Sequence, residues 1–163
     1  VAQAQAASAA AVAAGVLLDA YVDVDPGMGR AGVAPADAPA LVQQIAALPG
    51  LRWAGIQAYC GHHQHMMPAD RAAAHAAWTD RLRALLAQLR GEGLNPGQVT
   101  GGGTGTAAMD LAAGVYTELQ AGSYALMDVE YGDLGDLPFQ PALFLAASVV
   151  SARHETHVTC DAG

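Results

Sequence analysis

Leu51 to Arg90 reads LRWAGIQAYCGHHQHMMPADRAAAHAAWTDRLRALLAQLR, and this stretch decides the fold. Leu51 to Tyr59 is a short apolar run of strand length, and it ends in a polar, histidine-rich loop. From Pro68 to Arg90 the period changes: Ala72, His75, Ala76, Leu82, Leu85, Leu86 and Leu89 recur at three-to-four spacing, and Gly91 stops the pattern. The reading is strand, loop, helix. Its neighbours repeat it. Val16 to Val24 (VLLDAYVDV) predicts a strand, Pro26 to Gly32 a loop, and Pro35 to Leu48 a short helix with proline in its first turn. Gln98 to Thr100 starts a short strand that runs into glycines, a helical turn is expected at Ala107 to Ala112, and Tyr116 to Gln120 is a further short strand.

Strands alternating with helices specify βαβ units and a parallel sheet. Each strand carries its polar or glycine-rich loop at its C-terminal end, where α/β barrels assemble their active sites. A complete barrel needs about 250 residues, so the fold class expected is α/β, half of a (β/α)8 TIM-type barrel. After Tyr131 the pattern changes, and Leu143 to Ala152 with Glu155 to Cys160 read as β-rich. Two domains are therefore expected, a barrel half over residues 1–135 and the start of a β-rich domain over 136–163. Val1 to Ala14 reads as the inside of a helix and the chain stops directly after a strand-like run. An internal piece of a longer protein is the expectation.

Hydrophobic residues make up 53% of the 163, ample for a core, and the net charge of −8 with a pI near 4.9 argues against a nucleic-acid partner. No apolar run reaches the roughly 18 to 20 residues that span a bilayer. Cys60 and Cys160 are isolated in sequence, so no disulfide framework is read, and the cytoplasm is the expected location.

The four loops carry the chemistry. Gly101-Gly102-Gly103-Thr104-Gly105-Thr106 places consecutive N–H groups, threonine hydroxyls and the start of a helix together, a donor set for an anion such as phosphate; a plain flexible turn is the other reading. It lacks the Walker ending and the Rossmann glycine spacing. In Asp25-Pro26-Gly27-Met28-Gly29-Arg30-Ala31-Gly32-Val33 glycines flank an arginine that is either a site residue or a solvated charge. Gln57-Ala58-Tyr59-Cys60-Gly61-His62-His63-Gln64-His65 holds three histidines, but His62 and His63 are adjacent and point apart, so proton transfer or substrate binding is favoured over zinc. His154, His157 and Cys160 are read on a strand, with His154 and Cys160 on one face and His157 on the other, which argues against a single three-ligand metal site and for ordinary strand residues. In Tyr116-Thr117-Glu118-Leu119-Gln120-Ala121-Gly122-Ser123-Tyr124, Gly122 and Ser123 offer further donors and Gln120 lies just before them.

Taken in order, DPGMGRAGV, GIQAYCGHHQH, VTGGGTGT and YTELQAGSY with LMDVEY resemble the D-threonine aldolase family, alanine-racemase-like (fold type III) pyridoxal phosphate enzymes whose relatives include D-serine and D-threo-3-hydroxyaspartate dehydratases. The resemblance runs over essentially the whole chain and implies the last four barrel strands with the entry to a C-terminal β-domain. It also implies roles. Arg30 comes near the phenolic oxygen of pyridoxal phosphate. Tyr59 packs on the ring and is a catalytic residue. Thr104, Gly105 and Thr106, with Gly122 and Ser123, hold the phosphate, and Gln120 faces the pyridine nitrogen. Gln64 is expected to contact substrate and His65 to be catalytic.

The implied reaction splits a D-β-hydroxy-α-amino acid into glycine and an aldehyde, with a divalent metal (Mn, Mg or Zn) assisting. Yet all seven basic residues are arginine. The Schiff-base lysine of the family is expected before Val1 and the metal ligands after Gly163, so no metal ligand is assigned in this chain. The chain alone is expected to be inactive, and a homodimer is expected of the complete protein. A dehydratase and a non-catalytic cofactor-binding protein are the rival expectations.

Overall fold

A computed structural model describes residues 1–162. The first compact unit, Val1–Gly122, contains α1 (Ala2–Ala14), β1 (Leu18–Asp23), α2 (Ala38–Ala46), β2 (Leu51–Ala58), α3 (Pro68–Gly91), β3 (Gln98–Gly101), α4 (Ala107–Ala113) and β4 (Glu118–Leu119). The four strands pair in parallel in the order β1-β2-β3-β4, as strand–helix alternation requires.

Alternation along the strands separates two faces. Val22, Val24, Ile56, Ala58 and Val99 form one, buried against Val42 and Ile45 of α2 and Trp78, Leu82, Leu85, Leu86 and Leu89 of α3. The opposite face is polar. Asp23 pairs in register with Gln57, Gln57 with Thr100, and Thr100 with Glu118, so the four side chains form a row near the C-terminal strand ends.

The elements agree with the sequence reading to within a few residues, with three differences. On α3 the buried stripe begins Arg71, His75, Trp78, Thr79, while Ala72 and Ala76 are exposed. A run of alanines carries no phase, and the bulkier side chains set the face. The last strand of the first unit shrinks to Glu118–Leu119.

The third difference lies in the second unit, from Ser123 onward. It holds α5 (Val129–Asp133), capped by the Asp128 carboxylate accepting from Tyr131 N at 2.9 Å, and a core of Met127, Tyr131 and Leu134. The expected β-rich runs contract to an antiparallel pair, β5 (Val149–Ser151) with β6 (Thr159–Cys160), while Leu143, Phe144 and Leu145 stay exposed. Apolar composition does not make a strand unless a partner takes its backbone groups. His154 and His157 lie outside these strands with rings stacked 4.3 Å apart, so the alternating-face reading of that pair is corrected. Among the described residues no helix is long and apolar enough to cross a membrane.

Candidate functional site

The loops that follow β1, β2 and β3 open at one end of the first unit. After β1, Asp25 Oδ1 accepts from the N–H groups of Gly27, Met28 and Gly29 at 2.9, 2.8 and 3.1 Å. Those three bonds, led by Gly29, hold the Asp25 carboxyl below the usual carboxylate range. The loop closes where Val33 N donates to Asp23 O and Asp25 N to Val33 O. Gly32 is required there: at φ +91° a Cβ would lie 2.8 Å from Asp25 N. This turn places the Arg30 guanidinium 5.1 Å from the centroid of the Tyr59 ring. A cation at that distance from an aromatic face is held by the ring quadrupole, roughly 0.5–1 kcal/mol at an exposed site. Two residues the sequence singled out from separate loops therefore meet. Asp23 lies close by; burial pushes its carboxyl up, opposed by Arg30.

Gln120 Nε2 donates to Gln57 Oε1 at 3.0 Å and to Thr100 Oγ1 at 3.1 Å. The row across β2 and β3 thus continues onto the residue after β4. Gln120 itself is exposed.

The glycine loop is different from an open anion nest. Residues Gly101 to Thr106 are all buried. A Cβ would lie 2.4 Å from the Tyr116 ring at Gly101, 2.3 Å from Asp110 Oδ2 at Gly102, 2.5 Å from Gln64 Oε1 at Gly103 and 2.3 Å from Gln64 O at Gly105. The glycines admit other parts of the protein, so the loop is tightly packed and the flexible-turn reading is set aside. Thr106 Oγ1 accepts from Gly103 N at 3.1 Å, and Gly105 N donates to Gln64 Oε1 at 2.8 Å.

That second bond engages Gln64 with the glycine loop. It is 1% exposed, and its amide also donates to Cys60 O at 3.1 Å and to Thr106 Oγ1 at 3.2 Å. A side chain this buried, with both amide hydrogens engaged, ties the loop after β2 to the glycine loop. His65 is exposed at the end of the same segment. Gly122, exposed, closes the first unit with open space where a Cβ would be, and Ser123 opens the second.

Behind the loops lies a buried polar layer that the sequence reading missed. His75 Nε2 and Asp110 Oδ1 are 2.8 Å apart, joining α3 to α4. Tyr116 OH donates to Ala58 O at 3.0 Å and accepts from Trp78 Nε1 at 2.9 Å. Burial pushes the Cys60 thiol up to about 12, and burial, reinforced by the neighbouring His62, His75 and Arg81 charges, lowers His63 to about 4. His63 is 5% exposed, with its ring centroid 4.2 Å from that of His62. The signal for the His75–Asp110 pair was a histidine inside an apolar helical stripe.

Residues 1–129 match the family described as alanine racemase, N-terminal domain. The chain is 47% identical over 161 residues to a D-threonine aldolase of an Arthrobacter species, covering 96% of this chain and 42% of that protein. It is 39% identical over 166 residues to a 3-hydroxy-D-aspartate aldolase of Paracoccus denitrificans, covering 96% of this chain and 43% of that one. The crystal structure of D-threonine aldolase from Filomicrobium marinum superposes with a TM-score of 0.90 at 40% identity, over 99% of this chain and 45% of that one. A D-threo-3-hydroxyaspartate dehydratase from Delftia superposes with a TM-score of 0.67 at 27% identity, over 84% of this chain and 37% of that one. The chain thus spans less than half the length of these relatives.

Proposed function

The chain belongs to the alanine racemase N-terminal-domain family, and from that premise we propose that it is the second half of a barrel that binds pyridoxal phosphate. The whole protein is then a lyase that splits D-threonine and similar D-β-hydroxy-α-amino acids into glycine and an aldehyde. The observation that carries the reading is the meeting of Arg30 with the Tyr59 ring, at 5.1 Å, at the end of the sheet where the Gln57–Thr100–Gln120 row also emerges. A flat aromatic cofactor with a phenolic oxygen on one edge and a ring nitrogen on another needs such a set: a stacking side chain, a fixed cation and a polar amide. The residues present fit that group at its ring end. At the phosphate end the loop Gly101–Thr106 supplies backbone, with Gly105 N–H and the Thr106 hydroxyl committed to its shape.

When bound, the cofactor supplies a sink for the electron pair left as the Cα–Cβ bond breaks. Tyr59 would hold the ring of the cofactor and Arg30, held by the Asp25-capped turn, would supply a positive charge to its phenolic oxygen. Gln120 is held by Gln57 and Thr100 and would offer its amide to the ring nitrogen. Gly122 is proposed to add a donor to the phosphate, and His65, exposed on the loop after β2, to accept the proton of the substrate hydroxyl. The chain has no lysine, so the covalent anchor of the cofactor is proposed to come from outside this segment. Among the described residues no group of three or more His, Cys, Asp or Glu side chains is placed to hold a metal ion; the ligands of a Mn, Mg or Zn ion are likewise proposed to lie outside it. A cytoplasmic homodimer is part of the same proposal.

The likeness to a hydroxyaspartate dehydratase favours one rival reading, elimination of the β-hydroxyl as water followed by hydrolysis of the resulting imine to ammonia and an oxo acid. Product analysis separates the two. The protein from its native source, incubated with D-threonine, D-serine and D-threo-3-hydroxyaspartate, is expected to release glycine and an aldehyde. Ammonia and an oxo acid without glycine would replace the aldolase reading by the dehydratase one.

A further inference from the structure

We propose that Gln64 is a positioning residue that sets the distance between the two ends of the cofactor site, an inference that rests on the cofactor reading above. The argument is in its partners. Its Oε1 accepts from Gly105 N–H at 2.8 Å and its Nε2 donates to Cys60 O at 3.1 Å. A backbone N–H only donates and a backbone carbonyl only accepts, so these two partners dictate the orientation of the amide. The same Nε2 also reaches Thr106 Oγ1 at 3.2 Å, and that hydroxyl in turn accepts from Gly103 N–H at 3.1 Å.

One carboxamide therefore ties the loop after β2, which carries Tyr59, to the loop after β3, which carries the phosphate-binding turn. No other side chain of this length has both a donor and an acceptor at its end. Leucine loses both functions. Glutamate keeps the acceptor for Gly105, loses the donor to Cys60 and puts a negative charge beside an anion-binding loop. The glycines belong to the same device, since a Cβ at Gly103 or Gly105 would lie 2.5 or 2.3 Å from Gln64 atoms. Ring support and phosphate support are thereby held in a fixed relation, which favours a ligand that carries ring and phosphate together over either part alone.

The test uses the full-length protein that contains these residues, freed of cofactor, and two probes, pyridoxal phosphate and pyridoxal, titrated to equilibrium into wild type, Gln64→Leu and Gln64→Glu. Amide hydrogen exchange at Gly105 is followed separately without ligand. The expected result is a loss of about tenfold in pyridoxal phosphate affinity for Gln64→Leu, the size of a buried hydrogen-bond pair. Gln64→Glu is expected to lose more, pyridoxal to change less than about twofold in either variant, and Gly105 to lose protection. Equal losses for both probes would mean general damage to the fold and would overturn the positioning role. Unchanged protection of Gly105 in Gln64→Leu would overturn it independently of any ligand. Wild type that binds neither probe would remove the cofactor reading and the positioning role with it, while lost protection would leave Gln64 as a loop brace only.

Discussion

Replacing Tyr116 by phenylalanine removes one oxygen and disconnects two elements. That oxygen accepts from the indole of Trp78 at 2.9 Å and donates to the carbonyl of Ala58 at 3.0 Å, so it joins α3 to the end of β2 one residue before Tyr59. Trp78 is 2% exposed, so its N–H would be left buried without its partner. A buried donor left without a partner costs about 1–3 kcal/mol, and the lost bond to the carbonyl about 0.5–1 kcal/mol more. A destabilisation of roughly 2–3 kcal/mol follows. With a urea slope of about 2 kcal/mol per M, the midpoint by circular dichroism should fall by about 1–1.5 M. In a double-mutant cycle, Trp78→Phe has already removed the indole N–H, so Tyr116→Phe should cost less in that background, with a coupling of about 1 kcal/mol. A midpoint shift under about 0.3 M, or strict additivity, would show that the three-part contact does not support the sheet end.

Three further outcomes are expected. His63 is held neutral with its pKa lowered to about 4 from 6.5, so the unfolded chain binds the extra proton first; stability should fall as pH drops from about 6.5 toward 4, by roughly 2 kcal/mol from this group. His63→Gln should flatten that slope, and an unchanged slope in urea melts at several pH values would contradict it. Of the two free thiols, exposed Cys160 should react with a chromogenic disulfide at pH 8 in the native state, while buried Cys60, pushed up to about 12, should react only after denaturation. Sheet order β1-β2-β3-β4 leaves one side of β1 and one of β4 unpaired, so the purified chain should associate in sedimentation experiments; a well-behaved monomer would speak against that.

What could be read from the sequence follows from how local each signal is. The strands at Leu18–Asp23 and Leu51–Ala58 and the helix from Pro68 are local patterns of period two or three to four, and they were legible without contacts. The position of the functional loops followed from topology, because parallel strands put all their C-terminal ends on one side. Motif resemblance singled out Arg30 and Tyr59 separately, and their contact, which depends on the Asp25 turn, was not legible. The burial of Gln64 was not legible because its partners Gly105 and Thr106 lie about forty positions away, and a glutamine in a polar loop looks solvent-facing. The His75–Asp110 and Trp78–Tyr116 pairs escaped for the same reason: each joins separate helices or loops, and neither partner's neighbours in sequence announce it. The β-rich reading after Leu143 failed over most of its length because hydropathy reports burial demand and not the presence of a pairing strand.

The most direct test of the account is the intact mass of the protein from its native source after borohydride reduction, which fixes any imine between the cofactor and a lysine. The account predicts a species heavier than the 16.5 kDa of these residues and carrying a phosphopyridoxyl adduct. A product of 16.5 kDa with no adduct would contradict it and reduce the role of this chain to binding.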